Sequence, residues 1–242
     1  MSLDPDRARS WHRLGIGPLW LVRDAPATRE ETPVPAPVRE ETRAQRIGRM
    51  DWQELRSAVA ACTACALCKT RKQTVFGVGF SAAHWMLVGE APGAEEDQRG
   101  EPFVGQAGRL LDNMLAAAGL TRAGETEHSV YIANVLKCRP PGNRNPEPSE
   151  VELCEPFLLR QVELVRPRVV VVMGRFAAQS LLRTDATVAS LRGRAHHIDV
   201  AGRRVPIVVT YHPAYLLRNL ADKAKSWADL CLAREIYDRS AV

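Results

Sequence analysis

The sequence predicts a three-layer α/β/α fold around a central, mainly parallel, four-stranded sheet. Three observations carry this. Four short β-branched apolar runs, at residues 85–90, 130–138, 168–174 and 207–212, are continuously rather than alternately hydrophobic, the pattern of strands buried on both faces. Segments of helical apolar periodicity lie between and after them, and strands alternating with helices give a largely parallel sheet between helix layers. Finally, three of the runs pass directly into unusual polar sequence, at the sheet edge where ligands of open α/β folds bind.

In order along the chain, residues 1–50 mix arginines with acidic residues and carry alternating prolines, which block helix and sheet alike. They read as a disordered or linker-like extension, and its apolar stretch Leu14 to Val22 receives no function. Globular texture begins at Asp51, so residues 51–242 form one domain. A short helix over residues 51–61 leads into a cysteine run. Helices are expected over residues 105–120, over 149–165 with a capping box of Ser149 and Glu152 and a kink at Pro156, over 175–182 and over 223–239.

No apolar run approaches the roughly 18–20 residues needed to cross a bilayer, and the N-terminus lacks the apolar core and cleavage site of a signal peptide. The expectation is a cytoplasmic monomer without a membrane partner. A formal charge of +5 permits a polyanionic partner. Six cysteines in a reducing compartment point to metal or redox chemistry rather than disulfides.

Cys62 and Cys65, two residues apart, can offer both sulfurs to one metal from a single turn. Cys138 and Cys154 follow, in the loop after the second strand and on the next helix. Four thiolates can hold a structural zinc or an iron–sulfur cluster. Cys68 extends the first pair to a C-x2-C-x2-C run, so spacing alone leaves the ligand choice open. Cys231, beside Leu230 and Leu232 in the last helix, reads as an ordinary small apolar side chain.

The strand ends supply the other candidates. Gly89 to Gly93 make a tight turn followed by acidic residues, a poor cradle for phosphate. Phe103 lies in a Pro/Gly-rich loop, where a stacking surface for a planar base fits better than a core aromatic. Asn134 ends the second strand, and its amide can offer a donor and an acceptor to a base edge. His212 ends the last strand before a proline. Arg139 and Arg144 stand on a proline-set loop suited to backbone phosphates.

Taken together, Cys62-x2-Cys65-x-Leu67-x3-Arg71, the segments 89–97, 100–108 and 134–148, Cys154-Glu155-Pro156-Phe157 and the segment 212–217 resemble the family-4 uracil-DNA glycosylases, the iron–sulfur class of that superfamily. The resemblance runs from about residue 51 to 238. It implies the uracil-DNA glycosylase fold and a [4Fe–4S] cluster on Cys62, Cys65, Cys138 and Cys154, with Cys68 a departure from the usual pattern. It places Glu90, the backbone near Ala91, Glu96, Phe103, Asn134 and His212 in the uracil pocket. Ala91 stands where better-studied relatives carry a water-positioning aspartate, which leaves Glu90 as the nearest candidate to orient water.

The implied activity is extrusion of a deoxyuridine from single- or double-stranded DNA and hydrolysis of its N-glycosidic bond. An abasic site results, the first step of base excision repair, and the enzyme would work at the nucleoid. Asn134 would read O4 and N3, Glu96 would crowd the 5-position against a thymine methyl, and His212 would stabilise negative charge on the uracil oxygen. Tyr215, Leu216 and Leu217 would fill the vacated stack. The alternative is a non-catalytic nucleic-acid-binding module of the same fold, against which intact Asn134 and His212 count. An electron carrier would need neither the 89–93 turn nor the 212–217 segment.

Overall fold

Buried β-branched runs set the sheet. The computed structural model describes residues 9, 10, 13–15 and 41–240. Helices α1 (Arg43–Ile47) and α2 (Trp52–Ala60) precede strands β1 (Val78–Gly79) and β2 (Trp85–Gly89), and α3 (Ala94–Arg99) and α4 (Gln106–Ala117) lead to β3 (Val130–Asn134). Then come α5 (Pro148–Val165), β4 (Val169–Met173), α6 (Arg175–Leu182), α7 (Val188–Leu191), β5 (Ala195–Val200), β6 (Arg203–Thr210), α8 (Pro213–Leu216) and α9 (Lys223–Arg239). The sheet order is β1-β3-β2-β4-β6-β5.

The four expected runs form its parallel centre, β3-β2-β4-β6, and every residue of β2, β3 and β4 is buried. Their side chains alternate between two cores, as the two-residue period of a strand requires. Trp85, Leu87, Ile132 and Val171 meet Leu111 and Leu115 of α4 and Leu230 of α9 on one face. Met86, Val88, Ala133 and Val172 meet Leu158 and Val162 of α5 and Ala177 and Leu181 of α6 on the other. These are the three predicted layers.

The sheet differs from expectation at its margins, where antiparallel β1 and β5 bring it to six strands. Strand β1 is only two residues long, and β5 is a polar edge strand whose first five residues are exposed or half-buried. Neither produces a continuous apolar run. A two-residue turn joins β5 to β6, with Ala201 at φ 48° and Gly202 at φ 76°, as hairpin geometry favours. Helix α5 starts earlier than expected: Glu147 is its N-cap and accepts no help from Ser149, while the Glu150 carboxylate accepts the Glu147 N–H at 2.9 Å. The helix continues through Pro156.

The chain divides at residue 40 rather than 50. The last ten residues assigned to the extension fold with the domain: Thr42 and Gln45 form a capping box for α1, and Ile47 is buried against Leu55, Val59, Phe76 and Phe157. Arg160 Nε donates to Met50 O at 2.7 Å. The expectations for residues 16–40 and for most of residues 1–15 lie outside the described residues. Burying one isoleucine is worth about 1.5–3 kcal/mol. A chain starting at residue 51 is therefore expected to melt roughly 3–10 °C below one starting at residue 41, measured by calorimetry. Equal melting temperatures would deny α1 a structural role. Among the described residues no helix is long and apolar enough to cross a membrane.

Candidate active site

The carboxyl ends of β2, β3, β4 and β6 open into a cleft of about 860 Å³. Gly89 and Asn134 are register partners at the ends of adjacent strands. A Cβ on Gly89 would lie 2.4 Å from Asn134 Oδ1 and 2.7 Å from Phe103 Cζ, so only glycine lets the amide and the ring approach this closely. Asn134 is 2% exposed, yet its Oδ1 has no hydrogen-bond partner among the described residues. Leaving such a group unmet costs about 1–3 kcal/mol, and an orphan facing a cleft marks a place for a ligand.

Phe103 also lines the cleft, with φ 56°, a left-handed conformation costly for a residue with a Cβ. Its surroundings impose it. Arg122 Nη1 donates to the carbonyls of Pro102 and Phe103 at 3.2 and 3.1 Å, and Gly108 lets α4 press against the Phe103 carbonyl, where a Cβ would stand 1.8 Å away. The Phe103 ring stacks on His212, centroids 5.3 Å apart. That contact leaves no room for a base between them, so a base must lie beside the pair.

His212 caps α8: its Nδ1 accepts the Ala214 N–H at 3.1 Å, which leaves Nε2 carrying the ring proton. Burial pushes its pKa down to about 4, with Glu96 opposing and Arg218 assisting. At neutral pH the ring is an uncharged donor. Burial raises the Glu90 carboxyl above its ordinary range, and the Arg175 guanidinium partly offsets this. Ala91 lines the cleft beside it, with no side-chain acceptor to offer.

Glu96 lines the cleft too, but its oxygens are occupied. They accept the N–H groups of Gly93 (3.1 Å), Val104 (3.1 Å) and Gly105 (3.4 Å), tying the turn after β2 to the loop that carries Phe103. These bonds hold the carboxylate in one place on the cleft wall.

The expected DNA-contacting residues separate. Arg144 lines the cleft with its guanidinium held bidentately by Glu150 at 2.9 and 2.6 Å, and Arg139 Nε donates to Asn143 Oδ1 at 2.7 Å. Tyr215 lines the cleft, stacks on Tyr211 and donates its hydroxyl to Asp222 at 2.7 Å. Leu217 is 39% exposed, whereas Leu216 is 1% exposed on the inward side of α8 and cannot serve as a plug in this arrangement. The end of β4, which carries no unusual polar motif in the sequence, also lines the cleft, through Gly174, Arg175 and Phe176, with Arg218 nearby. Gly174 before Arg175 was the available signal, a glycine ending an apolar run.

A second pocket holds five of the cysteines. Cys62, Cys65, Cys68, Cys138 and Cys154 rim it with Leu67, Leu136 and Phe157. Arg71 Nη1 lies 3.1 Å from Cys138 Sγ, Arg43 Nη2 3.7 Å from Cys62 Sγ, and the Lys137 amide donates to Cys154 Sγ at 3.3 Å. Burial pushes the Cys154 thiol up to about 12, and the nearby Lys137 partly opposes this. Among the described residues no three His, Cys, Asp or Glu side chains converge on a point suited to one metal ion. Five thiols lining one pocket are a donor set for a thiolate-bound metal centre. Cys231 is exposed on α9, remote in sequence from this group.

A strand-end cleft, an orphaned amide and a half-buried donor imidazole stand together at the switch edge of a parallel sheet, where α/β folds bind ligands. Residues 76–231 match the model of the Uracil DNA glycosylase superfamily, and the chain belongs to that superfamily. Within it, the chain groups with the type-4 enzymes. It is 47% identical over 163 residues to a type-4 uracil-DNA glycosylase of Archaeoglobus fulgidus, covering 66% of this chain and 79% of the relative. It is 40% identical over 187 residues to that of Pyrobaculum aerophilum, covering 76% and 93%. With that of Thermotoga maritima it shares 42% identity over 167 residues, covering 69% and 83%.

Proposed function

We propose that this chain is a uracil-DNA glycosylase that starts base excision repair by releasing uracil from DNA as the free base. The observation that carries the reading is the buried Asn134 amide, unpartnered at Oδ1 and opening on a cleft with room for an extruded nucleotide. Uracil offers an acceptor at O4 and a donor at N3, the complement of an asparagine amide. Extruding the nucleotide costs a few kcal/mol, less at a mismatch, and Leu217, exposed just after α8, is the residue we assign to fill the gap.

Cleavage of the glycosidic bond leaves positive charge on the sugar and negative charge on the base. His212, neutral with its proton on Nε2, donates to the uracil oxygen as charge builds there, an effect typically worth about 10²- to 10³-fold. Glu90, ionised, orients and deprotonates the water that attacks the sugar carbon. Phe103 and the loop held by Glu96 exclude solvent and hold the ring in plane. Arg144 and Arg139 border the path of the DNA backbone. The DNA substrate, single- or double-stranded, places the enzyme in the cytoplasm with the nucleoid.

Cys62, Cys65, Cys138 and Cys154 fit a [4Fe–4S] cluster, and when bound it would supply a covalent cross-link between the segment before β1 and the segments flanking the β3–α5 loop. Converting any of these four to Ser is expected to lose iron, absorbance near 400 nm and solubility together, while Cys68→Ser and Cys231→Ser keep them. Loss of iron from Cys68→Ser with retention in Cys65→Ser would reassign the ligands. The function itself is tested by release of free uracil from a uracil-containing oligonucleotide, against a thymine control. Binding without release would leave only a nucleic-acid-binding module.

A further inference from the structure

Lys137 is 1% exposed, a cation in the interior with no part in the chemistry above. After β3 ends at Asn134, the backbone follows β2 for two more residues: the Val135 and Leu136 N–H groups donate to the carbonyls of Gly89 and Glu90, both at 3.0 Å. The Lys137 side chain then turns back. Its Nζ donates to the Asn134 carbonyl at 2.7 Å and to Gln161 Oε1 at 2.6 Å. Gln161, fully buried, is fixed in turn, its Nε2 donating to Phe76 O and Tyr131 Oη, both at 2.9 Å.

A buried ammonium persists only where acceptors are held for it. Here one acceptor is the carbonyl of the residue whose amide faces the cleft. That peptide is held on its N–H side by Gly89 O and on its carbonyl side by Lys137, and the two bonds together fix where the Asn134 side chain starts. The backbone amide of the same lysine reaches Cys154 Sγ at 3.3 Å, so one residue touches both the base-facing strand end and the cysteine pocket. Neither Met nor Leu could make the first contact, and no other side chain donates to the Asn134 carbonyl among the described residues.

We propose that Lys137 is a positioning residue for base reading, which aims the Asn134 amide and joins its position to the cysteine pocket. The proposal rests on the reading of Asn134 as the group that meets uracil. Lys137→Met keeps the length and apolar stem and removes the donor. Binding is measured with oligonucleotides carrying 2′-fluorodeoxyuridine or 2′-fluorodeoxycytidine, which resist cleavage, alongside uracil release, iron content and melting temperature.

The expected result is a binding preference for uracil over cytosine that narrows about tenfold, and a kcat/KM on uracil lowered roughly 10- to 100-fold, at unchanged iron content. In an Asn134→Ala background the same substitution should cost less than about threefold, because the two act through one contact. Unchanged preference and kcat/KM, or a full multiplicative loss in the Asn134→Ala background, would overturn the proposal. Should Lys137→Met fail to fold, Gln161→Leu removes the acceptor that holds the ammonium and carries the same expectations; if neither variant folds, the pair serves stability alone and the proposal falls. A wild-type protein with no preference for uracil over cytosine would instead overturn the reading of Asn134 itself.

Discussion

Asn134→Asp is expected to lower kcat/KM on uracil by at least about 10³, with residual activity shifted toward cytosine. The substitution keeps the volume and replaces the NH2 with a second acceptor. Uracil O4 would then face an oxygen, and both groups, already stripped of water, would gain nothing in return. Unmet buried polar groups cost about 1–3 kcal/mol each and charged ones more, and sites built on hydrogen bonds reject ligands lacking the complement by about 10⁴–10⁵. Cytosine presents an amino group where uracil has O4, so the new carboxylate meets a donor. Single-turnover excision from uracil and cytosine oligonucleotides checks this, with a melting curve to establish that the variant is folded. Near-normal uracil excision and discrimination would remove Asn134 as the reader.

Much of the sheet was legible because burial on both faces writes itself into sequence. Runs such as Val169–Met173 have no solvent-facing position and so no polar residue. The edges obey a different rule. In β5 the residues Ala195, His197 and Asp199 are exposed, and the strand is held by backbone pairing to β6 that leaves no apolar signature. Helix α1 was hidden for a similar reason: Ile47 is its one buried side chain, and a single isoleucine among arginines cannot outweigh the polar texture before it.

The site divides the same way. Asn134 and His212 could be named as candidates because each is a polar side chain at the close of an apolar run, a local contrast that needs no coordinates, while their roles came from the family resemblance. Glu96 could be placed at the cleft but not given its partners, since they are backbone N–H groups from Gly93 and, across a loop, from Val104 and Gly105. Leu216 and Leu217 look alike in sequence. Only the phase of α8 turns one inward and leaves the other exposed. Cys68 lines the same pocket as the four expected ligands, a proximity that its two-residue spacing from Cys65 already implied.

His212→Ala is expected to lower kcat roughly 10²- to 10³-fold while leaving the preference among bases unchanged, because the donor acts on charge that appears only in the transition state. The pH dependence tests the form of the ring that works. Burial lowers its pKa in the folded protein to about 4, below the value of about 6.5 in an unfolded chain. A folded-state pKa that is depressed favours the deprotonated ring, so the stability it contributes is complete above about pH 6.5 and is lost as pH falls toward 4. Neutral imidazole is then the working donor across the neutral range, and kcat should be flat there. On the acid side two groups titrate, since the proposed mechanism needs Glu90 ionised and burial raises its pKa, opposite in direction to His212. Whichever titrates higher sets the wild-type limb. In His212→Ala the limb that remains belongs to Glu90, and in Glu90→Gln it should fall to about pH 4. A rate that instead rises as pH drops from 7 toward 4 would mean that the imidazolium does the work, and the neutral-donor mechanism would have to be abandoned.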